Sequence, residues 1–218
     1  MKKIFLYTLT IFGFLSATAQ ETVYPAPQQK ETITLTNATI HVGNGQVINN
    51  GNVVFTNGKI TEVGANTSTA GKIIECKGKH IYPGLILSST QLGLVEVPTV
   101  RATVDASEIG EINPSIRSIV AYNTDSKVIN TLRTNGILLA NTVPDGGIIS
   151  GSSSVVQLDG WNWEDAAYQK DGAIHFRMPS LLARPRNRFN FGGAQTPAVD
   201  PVKRGLDQIE NVKNFFRE

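Results

Sequence analysis

Asn57-Gly58 stands between Val53-Val54-Phe55-Thr56 and Lys59-Ile60-Thr61-Glu62-Val63-Gly64. Two strand-like runs joined by this dipeptide predict a β-hairpin. A type I′ turn needs positive φ at both central positions, and Asn and Gly tolerate it best. Around the hairpin the period-two pattern continues. Ile33 and Leu35, then Ile40 and Val42, alternate with polar residues, and Lys72 to Cys76 adds a strand before the Lys77-Gly78-Lys79 turn. Residues 32–79 therefore read as an all-β unit.

The flanking segments carry different signals. Lys2 and Lys3 precede an apolar run from Ile4 to Leu15, and Ala17-Thr18-Ala19 has the small-x-small pattern of a cleavage site. Residues 1–19 thus read as a secretory signal peptide, which makes the mature protein exported, periplasmic or secreted from a bacterium. The run is too short for a membrane span, which takes about 20 residues, so no stable span is expected after cleavage. Residues 20–31, with Pro25 and Pro27, read as a flexible leader. Cys76 is the only cysteine, so no internal disulfide framework exists and a packed core must hold the fold. In Ile73-Ile74-Glu75-Cys76 the thiol reads as a small buried apolar group.

After residue 79 the period changes. Leu85-Ile86-Leu87 forms one strand, and Val128, Ile129 and Leu132 give a following helix an apolar face. Thr124 or Asp125 is placed to cap that helix, and Asn135-Gly136 to end it in a left-handed turn. Ile137 to Val143 then reads as a buried strand. Strand, helix and strand in this order predict a parallel βαβ unit. Between its first strand and its helix, Val95 to Pro114 is polar and carries Glu96, Asp105, Glu108 and Glu111, which suits a long loop over the strand ends. Leu206, Ile209, Val212 and Phe216 recur at helical spacing near Glu218.

The net charge of +2 and the lack of a basic face give no case for nucleic acid. The densest basic cluster, Arg184-Pro185-Arg186-Asn187-Arg188, reads as a solvated loop. Pro144-Asp145-Gly146-Gly147-Ile148-Ile149-Ser150-Gly151 invites a phosphate-cradle reading, because Gly and Ser expose backbone N–H groups. But neither Gly-Lys-Ser/Thr nor Gly-x-Gly-x-x-Gly occurs, and tight turns at a strand end account for the glycines. Trp161-Asn162-Trp163-Glu164-Asp165 offers either stacking and carboxylates at the strand ends or plain aromatic packing.

Taken in order, Thr-Leu-Thr-Asn-Ala-Thr-Ile (34–40), the hairpin, and His80-Ile81-Tyr82-Pro83-Gly84-Leu85-Ile86 resemble the N-terminal segment of the metal-dependent amidohydrolase superfamily, imidazolonepropionase among its members. The resemblance covers about residues 32–160. It implies an α/β fold in which residues 32–79 are a β-sandwich segment, and residues 80–218 the first part of a TIM-like (β/α)8 barrel. That barrel is incomplete here, because a full one takes about 250 residues. The chain then reads as the N-terminal half of a larger protein.

In that family Pro-Gly-hydrophobic-Ile-Asp is followed by His-x-His, whose imidazoles hold a catalytic metal. Aligned on Pro83-Gly84, the Asp falls on Leu87 and the two histidines on Ser89 and Gln91. A strand aims alternate side chains at one point, so Ser89 and Gln91 share a direction. Neutral hydroxyl and amide oxygens are poor ligands for zinc-like ions, so these two residues are the candidate substrate contacts and no metal is assigned to them. His41, His80 and His175 stand at no metal-binding spacing. No cofactor is expected on the residues present, and a divalent metal could come only from residues beyond this chain. The resemblance implies a hydrolase of carbon–nitrogen bonds other than peptide bonds, with a small-molecule substrate and an altered metal site. The competing reading is a non-catalytic, exported amidohydrolase-like binding or partner subunit, or an inactive fragment. An oligomer or partner subunit would complete the barrel.

Overall fold

The computed structural model describes residues 25–182 and 200–217. The expected signal peptide, the first part of the leader and the Arg184–Arg188 cluster lie outside the described residues. The chain divides into two units: residues up to Ile40 with Val47–His80, and His41–Gln46 with Ile81 onward.

The first unit is a single mixed sheet. Its strands are β1 (Ile33–His41), β2 (Val47–Thr56), β3 (Lys59–Gly64), β4 (Lys72–Glu75) and the short β5 (His80–Ile81). They lie in the order β3-β2-β1-β4, with β5 also paired to β1. β1 and β4 run parallel, and β2 and β3 antiparallel from Thr56↔Lys59 to Asn52↔Gly64. Asn57 has φ of 52° and Gly58 of 70°, the two positive values that the expected turn requires. The buried face of β1 differs from the one its apolar residues suggest. Thr34, Thr36, Ala38 and Ile40 are buried, Ile33 and Leu35 only half-buried, and Val42 beyond the strand is exposed. Threonine is tolerated inside because its hydroxyl finds partners: Thr34 Oγ1 donates to Ala70 O at 2.8 Å and accepts from Ala70 N at 3.3 Å. Cys76 is buried as expected.

The second unit is built on the sheet β6-β7-β8-β9. These strands are β6 (Leu85–Thr90), β7 (Ile137–Thr142), β8 (Ile149–Gln157) and β9 (Ala167–Phe176). The helices are α1 (Lys127–Thr134), α2 (Trp163–Ala166) and α3 (Pro201–Phe215). β6 and β7 are parallel with α1 between them in sequence, as the βαβ pattern predicts. The parallel run stops there, because β8 is antiparallel to β7, and β9 to β8. One face of the sheet packs on Leu92, Ile119, Tyr122 and Ile129, with Ala140 and Val156 at its centre. Each fully buried side chain of isoleucine size contributes about 1.5–3 kcal/mol. Ile137 is only partly buried and Leu138 is 53% exposed, so β7 is buried in its second half alone.

The start of α1 corrects the expected cap. Ser126, not Thr124 or Asp125, is the capping position, and it makes no capping bond. Its hydroxyl donates instead to Glu96 Oε2 at 3.0 Å, while Thr124 Oγ1 donates to Trp161 O at 3.1 Å. Tertiary partners outside the helix have taken these groups. Val128 is exposed rather than on the apolar face, which Ile129 and Leu132 supply. The long segment after β6 does not stand off as a free loop. Isolated bridges tie Ser107 to Asp145, Ile112 to Ile149 and Arg117 to Ser152, so it lies along the sheet.

Candidate functional site

Strand direction decides which residues can meet. The C-terminal ends of β6 and β7 lie on one side because the two strands are parallel. β8 runs back and β9 forward again, so the end of β9 returns to that same side. Gln91 follows β6, Asp145 lies three residues past β7, and Arg177 follows β9. These three side chains form one polar rim. The C-terminal ends of parallel strands are where α/β folds place ligands, since the loops there diverge and leave backbone and side chains accessible.

Asp145 is the centre of the rim. Its Oδ1 accepts from Gly146 N at 2.7 Å and from Arg177 Nη2, and its Oδ2 accepts from Gln91 Nε2 at 3.3 Å. The Gly146 N–H, Arg177 and Gln91 together hold its carboxyl below the usual carboxylate range, against a smaller opposing effect of burial. The group is therefore an anion at neutral pH. Its own N–H donates to Ala106 O at 2.6 Å, and Arg177 N donates to Ile148 O at 2.7 Å, so both backbones are fixed.

The floor is made by two loops in close contact. Ile148 N and Ile149 N both donate to Glu111 O, at 2.7 and 3.0 Å. Gly147 sits there with φ of 61°, and a Cβ on it would lie 2.7 Å from Glu111 O. Glycine is required at this position by both conformation and space. The glycines thus serve backbone approach, in line with the turn reading and without a phosphate cradle. From α3, Gln208 Nε2 donates to Glu111 Oε1 at 2.8 Å.

Of the residues expected to touch substrate, the fold brings Gln91 into the rim. Ser89 is exposed on β6 and lies outside this hydrogen-bond network. Trp163 goes elsewhere: it packs on the core, with Lys170 Nζ 5.1 Å from its ring centre. The residues of α2 precede Ala167, at the end of β9 opposite Arg177, so they supply no carboxylate to the rim. Among the described residues no group of three or more His, Cys, Asp and Glu is arranged to hold a metal ion. His41 stacks on Tyr82 with ring centres 4.2 Å apart, and His175 lies on β9. The rim does not fit a metal either, since its single carboxylate is already held by three donors, one of them cationic.

Asp145 and Arg177 are the residues that reading the sequence missed. Asp145 had a signal, an acidic residue just past the predicted strand Ile137–Val143. Arg177 has none, because only the antiparallel return of β8 and β9 brings it back. Together they present guanidinium N–H donors beside a carboxylate acceptor, with Arg177 66% and Asp145 41% exposed. A group with a carbonyl oxygen next to an N–H is complementary to that pairing.

Among solved structures, the chain is similar to an amidohydrolase from Thermotoga maritima, with a TM-score of 0.66 and 22% identity, covering 85% of this chain and 48% of that one. The two share a fold, and this chain spans about half of that protein's length. Shorter stretches resemble a putative prolidase from Bifidobacterium longum (25% identity, 31% of this chain and 18% of that chain, TM-score 0.27) and a molinate hydrolase (26%, 33% and 16%, TM-score 0.28). No protein-family model and no curated protein matches the sequence. Among the described residues, no helix is long and apolar enough to cross a membrane.

Proposed function

We propose that this chain is part of an amidohydrolase-like enzyme that hydrolyses carbon–nitrogen bonds other than peptide bonds, and that it supplies the substrate-recognition rim. The observation that carries this reading is the Gln91–Asp145–Arg177 group at the strand ends of a unit that shares its fold with an amidohydrolase. Arg177 and Gln91 donate to the substrate carbonyl, and the Asp145 carboxylate accepts the adjacent N–H. Ser89 adds a weaker polar contact from β6. Asp145 is a recognition and positioning group here rather than a general base, because a depressed pKa makes a carboxylate a weak base near neutrality.

The reading extends to the rest of the protein. β6 and β7 are the first two strands of a TIM-like barrel, completed by polypeptide outside this chain. The share of the similar amidohydrolase that this chain spans, 48%, supports that arrangement. Donors for any divalent metal also come from outside, since Ser89 and Gln91 occupy the family's ligand positions. The signal-like residues 1–19 support action outside the cytoplasm.

The test is a panel of hydantoins, cyclic imides and lactams, assayed for both turnover and binding. Arg177→Gln and Asp145→Asn are expected to lower kcat/KM or affinity by about 10- to 100-fold, the scale of losing one hydrogen bond to a charged group. Ser89→Ala should have a smaller effect. A protein that neither turns over nor binds any member of the panel rejects the proposal.

A further inference from the structure

Four Asn-Gly pairs occur in this chain, at 44–45, 50–51, 57–58 and 135–136. Asn-Gly is chemically labile because the glycine nitrogen meets little steric hindrance in reaching the asparagine side chain. Whether it does so in a folded protein depends on that N–H being unengaged and on space for a five-membered ring. The structure separates the four.

Three are restrained. Gly51 is buried inside β2, where a Cβ would lie 2.7 Å from Ile40 Cδ1, so no ring fits without moving the core. Gly58, in the exposed hairpin turn, donates its N–H to Gln29 Oε1 at 2.5 Å. At the end of α1, Gly136 N donates to Arg133 O at 3.0 Å, and Asn135 Nδ2 to Thr131 O at 2.7 Å. Nucleophile and leaving group are both tied there.

The fourth is different. Asn44 and Gly45 are exposed, and Gly45 N–H donates to no group among the described residues. Nothing lies within 4 Å of a Cβ built on Gly45. Gln46 N donates to Asn44 Oδ1 at 2.9 Å. That bond polarises the carbonyl under attack and stabilises the oxyanion that forms on it.

We propose that Asn44 is the principal deamidation site of the folded protein. Gly45 N loses its proton and forms a bond to Asn44 Cγ, and the side-chain nitrogen leaves as ammonia. Water then opens the succinimide at either carbonyl, giving aspartate or isoaspartate and one new negative charge at residue 44.

Peptide mapping by mass spectrometry after incubation at mildly alkaline pH tests this. In the folded protein, Asn44 is expected to convert several-fold faster than Asn50, Asn57 or Asn135. In denaturant the four rates should converge. Gln29→Ala, which releases the Gly58 N–H, should raise the Asn57 rate selectively. Conversion of any of the other three as fast as Asn44 in the folded protein overturns the proposal. So does an Asn44 lead that persists unchanged in denaturant, since the fold would then not be its cause.

Discussion

The β2–β3 hairpin and the Gln91–Asp145–Arg177 rim are built in opposite ways. The hairpin joins residues adjacent in sequence, and two positive φ values at Asn57 and Gly58 are enough to reverse the chain. The rim joins residues 54 positions apart across β6 and β7, and a further 32 to reach Arg177. Local turn chemistry specifies the first. Strand direction, the packing of the segment after β6 and a backbone approach at Gly147 specify the second. The residues of the candidate rim sit where many weak constraints meet, so the same kind of substitution should cost more there than at the hairpin.

The largest effect tests the packing that supports the rim. Ile119 is fully buried in the core cluster, and Ile119→Ala should cost about 2–5 kcal/mol in denaturant unfolding. A loss below that range would mean that the segment after β6 is not packed as described.

Next comes a matched pair of glycines. Gly58→Ala places a side chain at φ of 70° in open space, so only conformational strain of about 1–2 kcal/mol is expected. Gly147→Ala has a similar φ, 61°, but its methyl would also meet the Glu111 backbone at 2.7 Å. It should therefore cost clearly more than Gly58→Ala and weaken ligand binding at the rim. Equal losses in thermal unfolding would erase the contrast between the two regions.

The smallest effect is electrostatic. The carboxyl of Asp145 is depressed in the folded state, so its contribution is present above the ordinary carboxylate range, near pH 4, and is lost as pH falls through the lower folded value. Asp145→Asn should remove that part of the acid dependence and leave the slope of stability with pH on the alkaline side unchanged. Because the pair with Arg177 is largely solvated, the change should be small. Stability titrated against pH in both proteins measures it.

How much of this was legible depended on distance along the chain. The hairpin, the parallel β6–α1–β7 unit, the buried Cys76 and the left-handed stop at Gly136 follow from local rules. Gln91 was legible as a candidate because a family frame pointed at its position. The buried face of β1 was not, because Thr34 and Thr36 become good interior residues only once Ala70 and Ile74 supply partners. The loss of a side-chain cap at Ser126 is not legible either, since its hydroxyl is drawn off by Glu96, 30 positions away.

For this protein, the amino-acid order alone determined where the chain turns at Asn57-Gly58 and Asn135-Gly136, and that β1 to β4, β6 and β7 are strands. Local steric preferences act within a few residues and can be read from them. Only the tertiary structure decided that β8 turns back against β7 and carries Arg177 to Asp145. Such pairings are set by which faces and edges find partners across the whole sheet, and no short stretch of sequence contains that choice.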